Sequence, residues 1–180
     1  MTFRTRQGHE ILLAMLQPEA LEELHAYLEG LSGDTRRRFG PHPFDLPSIV
    51  QLYGGSPEHR GYIARDPASG RIIAYAVVRI GFLPHDAPRL QSCGITPDAQ
   101  TDCTFAPSVA DAWQGCGLGD GLLTCVISDL KQHTAVRRII LWGGVQADNQ
   151  RALRYYMRNG FRILGAFTYN GENYDMLREI

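Results

Sequence analysis

Trp113-Gln114-Gly115-Cys116-Gly117-Leu118-Gly119-Asp120-Gly121 is the stretch that decides how this chain is read. Before it lies a strand-like run, residues 102–109. After it come Leu122, Leu123, Cys125, Val126, Ile127 and Leu130, which with Leu118 form an apolar stripe at the 3.6-residue period of a helix. A glycine cluster between a strand and a helix gathers backbone N–H groups at a helix N-terminus, where anions bind. Its glycines permit positive φ and close approach of the backbone to a phosphate. A tight strand-to-helix turn is the plainer alternative. Two nucleotide loops are excluded by spacing. A Walker loop needs Gly-Lys-Ser/Thr, which the chain lacks, and the GxGxxG fingerprint fails because Leu122 or Asp120 stands where its third glycine belongs.

The pattern extends in both directions from this loop. Residues 138–143 read as a buried strand, 148–159 as an amphipathic helix ended by Gly160, and 161–167 and 174–178 as two closing strands. Toward the N-terminus, residues 10–16 read as a strand. Pro18 then opens a helix carrying Leu21, Leu24 and Leu28, and Gly30 stops it. Ser32 caps a short helix with Arg36, Arg37 and Arg38, and another short helix is expected at 46–53. Residues 61–65 and 71–80 form an antiparallel pair around the turn Asp66-Pro67-Ala68-Ser69-Gly70. Residues 81–100, with Pro84, Pro88 and Pro97 and no periodicity, are expected to be a long loop.

The whole chain, 180 residues with 44% hydrophobic and 21% charged content, has the composition of one globular domain spanning residues 1–180. A chain of this length buries a core without metal or disulfide staples. Eighteen Lys plus Arg against nineteen Asp plus Glu give a net charge of −1, which argues against nucleic acid as a partner. The longest apolar run, 72–78, is far short of the ~18 residues a membrane helix needs, and MTFRTRQGHE has no apolar secretion segment. The expected setting is therefore the cytoplasm, with no membrane partner. Cys93, Cys103, Cys116 and Cys125 lack CxxC spacing, and the six histidines form no ligand pattern, so reduced thiols and no metal are expected.

The glycine loop resembles the pyrophosphate loop Q/R-x-x-G-x-G/A of the GCN5-related N-acetyltransferases, the GNAT superfamily, with Gln114, Gly117 and Gly119 at the defined positions. A later helix resembles that family's N-x-x-A-x-x-x-Y-x-x-x-G-F, through Asn149, Ala152, Tyr156, Gly160 and Phe161. Leu31, Ser32, Thr35, Phe39 and Pro41 are similar to the L-S-x-x-T-x-x-x-F-x-P stretch of a branch that includes the acetylase domain of bacterial protein-lysine acetyltransferases. The resemblance implies an α/β fold, a three-layer α/β/α sandwich with a mixed, mostly antiparallel central sheet. It implies acetyl-CoA as cosubstrate, no metal, and transfer of the acetyl group to a primary amine of a small molecule or protein.

It also implies a site. Backbone N–H groups of Gln114, Gly115, Cys116, Gly117, Leu118, Gly119 and Asp120 would hold the pyrophosphate, Ser108 and Val109 would offer backbone groups to the pantetheine arm, and Asn149 would join them. Asn149 and Tyr156 are seven residues apart and lie within about 20° of one helix face, which selects Tyr156 over Tyr155 as the acid for the departing thiolate. A phenol of pKa ~10 can protonate a thiolate of ~8.5. A core tyrosine and a helix-capping asparagine are the alternatives at these two positions. The closest branch has Glu where Thr104 stands. Asp102, on the same strand face, is the expected substitute base, alongside a water relay or an amine that arrives neutral. Cys116 stands where Arg or Lys is common and Asp120 adds a negative charge, so phosphate binding is expected to be weakened unless Arg151, Arg154 or Arg36 to Arg38 compensate. These departures motivate a second reading, a non-catalytic or weakly catalytic acyl-CoA-binding regulatory module on the same fold. The acceptor pocket falls to the first helices and the 81–100 segment, where no motif identifies the amine, and a homodimer is left open.

Overall fold

The computed structural model describes residues 1–55 and 57–180. They form two compact units interleaved along the chain: Met1–Val78 with Ala106–Asp129, and Arg79–Phe105 with Leu130–Ile180.

The first unit opens with an antiparallel hairpin of β1 (Thr2–Arg4) and β2 (Glu10–Met15), whose turn places Gly8 at φ 89°. Three helices follow: α1 (Leu21–Glu29), α2 (Gly33–Arg38) and α3 (Leu46–Gly54). The first turn of a helix has amide donors with no partner inside it, and side chains supply partners here. Ser32 Oγ accepts from Thr35 N at 3.3 Å, and Asp45 Oδ1 accepts from Ser48 N at 3.0 Å. Strand β3 (His59–Arg65) pairs antiparallel with β2 and leads through the 66–70 turn to its neighbour β4 (Ile72–Ile80). The first seven residues of β4 are all buried, so both of its faces are covered. That explains an unbroken apolar run where a half-exposed strand would alternate.

In the second unit, the segment expected to be a long loop contains a helix, α4 (Ala87–Ser92), after a tight turn at Pro84–Asp86. Six residues are under two turns, too short for helical periodicity to show in sequence. The remaining elements are β5 (Asp102–Val109), α5 (Leu118–His133), β6 (Arg138–Leu141), β7 (Val145–Gln146), α6 (Gln150–Arg158), β8 (Arg162–Thr168) and β9 (Glu172–Glu179). The chain passes from one unit to the other within β4, β5 and α5. β5 runs parallel to β6 from Asp102↔Arg138 to Phe105↔Leu141, and β9 pairs antiparallel with β6, β7 and β8. The architecture is thus a mixed, mostly antiparallel sheet flanked by helices, as the sequence leads one to expect. α4 is pinned by Arg89, whose guanidinium forks onto Asp175 at 2.5 and 2.9 Å and lies 3.7 Å above the Phe167 ring.

Candidate active site

The glycine loop lies in the first unit. After β5 the chain makes a short 3₁₀ turn at Asp111–Trp113, and Gly115 and Gly117 then adopt φ values of 84° and 88°. Side chains rarely adopt this left-handed conformation, so the loop needs glycine at both positions. Gly117 O accepts from Asp120 N at 3.0 Å and from Gly121 N at 3.3 Å, which sets the first turn of α5. Leu118, Leu122 and Leu123 are buried and anchor that turn. Gly121 has a different reason for being glycine: a Cβ there would come within 2.5 Å of the Phe3 ring, so its role is to let β1 pack on α5.

Side chains brace the loop from beneath. Asp111 accepts from Ser32 Oγ at 2.9 Å, Thr35 Oγ1 at 2.8 Å and Ser32 N at 3.2 Å, tying the start of α2 to the loop. The hydroxyls of Thr35 and Ser32 hold the Asp111 carboxyl below its ordinary range. Gln114 folds back, and its Nε2 donates to Val109 O at 3.0 Å and Asp111 Oδ1 at 3.3 Å. Its side chain therefore shapes the loop, and the Val109 carbonyl already has one partner. Cys116 is 1% exposed and its thiol donates to Trp113 O at 2.8 Å, so it plugs the underside of the loop, where a charged side chain has no room.

A cation that the sequence did not single out lies beside the loop. Arg6, at the tip of the β1–β2 hairpin, donates its amide to Cys116 O at 2.9 Å and pairs with Asp120 at 3.3 Å. Its side chain crosses Gly117, where a Cβ would meet Arg6 Nε at 3.4 Å, and is 61% exposed. The charge of Asp120 is thereby countered at the mouth of the loop. The Arg36, Arg37 and Arg38 cluster has local ion-pair partners, Glu29 for Arg36 and Asp34 for the other two. Arg6 lies 114 residues from Asp120 in sequence, too far for any spacing rule to link them.

Ser108 is also in the first unit. It is buried, its Oγ lies 3.0 Å from Tyr27 Oη, and it donates to Tyr75 O at 3.4 Å. Burial pushes the Tyr27 phenol up, so it stays protonated.

The second unit holds the remaining candidates. Asn149 is the N-cap of α6, its Oδ1 accepting from Ala152 N at 3.2 Å. Tyr156 is 8% exposed, with its ring edge-on to Tyr155 at 5.0 Å and to Phe161 at 5.3 Å. Burial raises its pKa, so it carries its proton at neutral pH. Asp102 is engaged in an ion pair. It is 0% exposed, held bidentately by Arg138 at 2.6 and 2.9 Å, and accepts from Asp98 N at 2.8 Å. A carboxylate engaged in this way is a structural ion pair, created by the register that sets Asp102 opposite Arg138. On the same face, Thr104 is 1% exposed and its Oγ1 has no hydrogen-bond partner among the described residues. Among those residues no group of three or more His, Cys, Asp or Glu could hold a metal ion, and no helix is long and apolar enough to cross a membrane.

A family model described as Acetyltransferase (GNAT) family matches residues 24–161, and the chain belongs to this family. No curated protein matches it by sequence. Among solved structures, the GNAT domain of S. lividans PAT is similar with a TM-score of 0.76 at 17% identity, covering 100% of this chain and 96% of that one. The aminoglycoside acetyltransferase AAC(6')-Ib, solved with an aminoglycoside and acetyl-CoA, has a TM-score of 0.66 at 21% identity, covering 94% and 93%. Spermidine N-acetyltransferase from Vibrio cholerae, solved with CoA and spermine, has 0.68 at 16% identity, covering 94% and 95%. At these identities the likeness is one of fold.

Proposed function

We propose that this protein is an acetyl-CoA-dependent N-acetyltransferase whose acceptor is a primary amine of a small molecule or protein. The observation that carries this reading is the loop at Gly115 and Gly117, two left-handed glycines opening a 16-residue helix with the Arg6 guanidinium at its edge. Backbone amides, a helix N-terminus and an exposed cation suit a pyrophosphate. Bound there, acetyl-CoA supplies the activated acetyl group. The loop from Gln114 to Asp120 fixes the donor, and the strand end at Ser108 and Val109 lies along the pantetheine arm. Tyr156 gives its proton to the departing thiolate; burial keeps the phenol protonated until then and makes it a weaker acid than a free tyrosine. Asn149 orders the start of the helix that carries it. The bonds of Asp102 to Arg138 and to the Asp98 amide argue for a proton acceptor other than Asp102. The family relatives solved with CoA and an amine support this reading over a non-catalytic module. So does the Arg6 pairing, which removes one motive for that module. The proposed setting is the cytoplasm.

The test is release of CoA thiol from acetyl-CoA against a panel of polyamines, aminoglycosides, amino acids and lysine peptides, with calorimetry of acetyl-CoA alone. Binding near the micromolar range and turnover of at least one amine are expected. Folded protein that does not bind acetyl-CoA would overturn the proposal.

A further inference from the structure

Two tyrosines and a histidine of the first unit form a partly buried polar network that the mechanism above does not use. Tyr75, on β4, is fully buried, with its hydroxyl 2.9 Å from His42 Nε2 and 2.5 Å from Tyr53 Oη. His42 Nδ1 lies 2.7 Å from Pro43 O. A carbonyl can only accept, so Nδ1 carries the proton, and in a neutral ring Nε2 must then accept from Tyr75. The Tyr75 oxygen in turn accepts from Tyr53, so every hydroxyl proton in the chain points toward His42. Burial lowers the His42 pKa below its ordinary value, which favours this neutral tautomer, and burial raises both phenols, which keeps them protonated.

Room is made for this chain. A Cβ at Gly61 would meet Leu16 at 2.7 Å and Tyr53 Oη at 2.9 Å, and Phe39 packs edge-on to Tyr75 and Phe44 edge-on to His42. Tyr75 also accepts through its carbonyl from Ser108, on the strand end assigned to the pantetheine arm, and Ser108 bonds Tyr27. The ionisable groups facing the network from the packed elements are Tyr27 and His25 of α1, His25 bonding Phe44 O at 2.8 Å. Asp111 acts on Tyr27, and the Asp45 carboxyl is held low chiefly by its Ser48 hydrogen bonds, with a small contribution from His25. Among the described residues no carboxylate or cation is hydrogen-bonded to His42, Tyr53 or Tyr75, so no fixed charge there pins their protons.

We propose that His42, reached through Tyr75 and Tyr53, is the proton acceptor for the attacking amine, in place of a carboxylate base. This rests on the N-acetyltransferase reading. The neutral amine forms a C–N bond to the thioester carbonyl and becomes a cationic, acidic nitrogen. Its N–H proton passes to the Tyr53 oxygen while the Tyr53 proton moves to Tyr75 and the Tyr75 proton to His42 Nε2. The C–S bond breaks as the thiolate takes the proton of Tyr156. His42 releases its proton to solvent and Tyr156 regains one, so the cycle closes.

Tyr53→Phe and His42→Gln are measured beside the wild type at saturating acetyl-CoA. Expected is a fall in kcat of ~10²-fold in each at unchanged acetyl-CoA affinity, with a modest drop in melting temperature from the hydrogen bond lost at Tyr75. The wild-type rate should fall on acidification only below the usual imidazole pKa of ~6.5, that acid limb should vanish in His42→Gln, and added imidazole should partly rescue His42→Ala. Nitrogen NMR of the free protein should show His42 as the Nδ1–H tautomer, with its Nε2 resonance shifted in Tyr75→Phe. Turnover with an unaltered kcat in Tyr53→Phe, or an Nε2–H tautomer, would overturn the relay alone. Absence of turnover with every amine would sink the proposed function and the relay's catalytic role together.

Discussion

Gly117→Ala is the substitution that most directly tests the loop. The new Cβ would stand 3.4 Å from Arg6 Nε and 3.5 Å from Arg6 Cγ, contacts that a flexible, 61% exposed side chain relieves by moving. Sterics are therefore a minor cost, and the φ of 88° dominates, at about 1–2 kcal/mol for a residue with a Cβ. Loss of freedom in the unfolded chain returns roughly 0.4–1 kcal/mol of this, so the melting temperature should drop only slightly. Binding bears this strain only where the free loop of the variant relaxes away from it, since such a loop must return to the penalised conformation to hold the phosphate, without the unfolded-state offset. Acetyl-CoA should bind roughly 5- to 30-fold more weakly by calorimetry, the factor that corresponds to 1–2 kcal/mol. Gly119→Ala is the paired control. It lies inside α5, where alanine stabilises a helix by roughly 0.5–1 kcal/mol, so it should melt higher and yet bind more weakly if a pyrophosphate approaches its backbone. Undiminished affinity in folded Gly117→Ala at an unchanged melting temperature would show that these amides do not hold the donor.

Three further outcomes are expected. Cys116→Arg should destabilise the fold by on the order of 3 kcal/mol and abolish acetyl-CoA binding, since the thiol is buried on the Trp113 carbonyl and a guanidinium has no place there; tighter binding would contradict this placement. Asp102→Asn should cost about 3 kcal/mol of stability by breaking its fork with Arg138, while the folded fraction keeps its turnover number. A hundredfold rate loss at unchanged melting temperature would return the base to Asp102. Tyr156→Phe should keep its packing on Phe161 and its acetyl-CoA affinity but lose ~10²-fold in kcat, whereas a purely structural tyrosine leaves the rate intact.

Much of the fold is legible along the chain because it is encoded locally. Ser32 and Asn149 cap helices α2 and α6 through residues three positions away, and the 66–70 turn closes through Asp66 and Gly70. The unbroken apolar run of β4 likewise announces a strand covered on both faces. α4 and the two-residue β7 escape such a reading because neither completes two periods of its pattern. β1, of three residues, escapes for the same reason.

The candidate site divides along the same line. The sequence by itself determined where a phosphate loop can form, since the amides and the glycines with positive φ are consecutive residues and the chemistry needs nothing distant. Tertiary structure alone decided which charges serve that loop and which carboxylate is available. Arg6 reaches Asp120 across 114 residues, and Asp102 is neutralised by Arg138 across a parallel register 36 residues away. His42, Tyr53 and Tyr75 likewise meet only once α3 and β4 are packed. An ion pair or a hydrogen-bond chain depends on distances of a few ångströms between side chains, and these are set by strand register and packing, which residue spacing along the chain does not record.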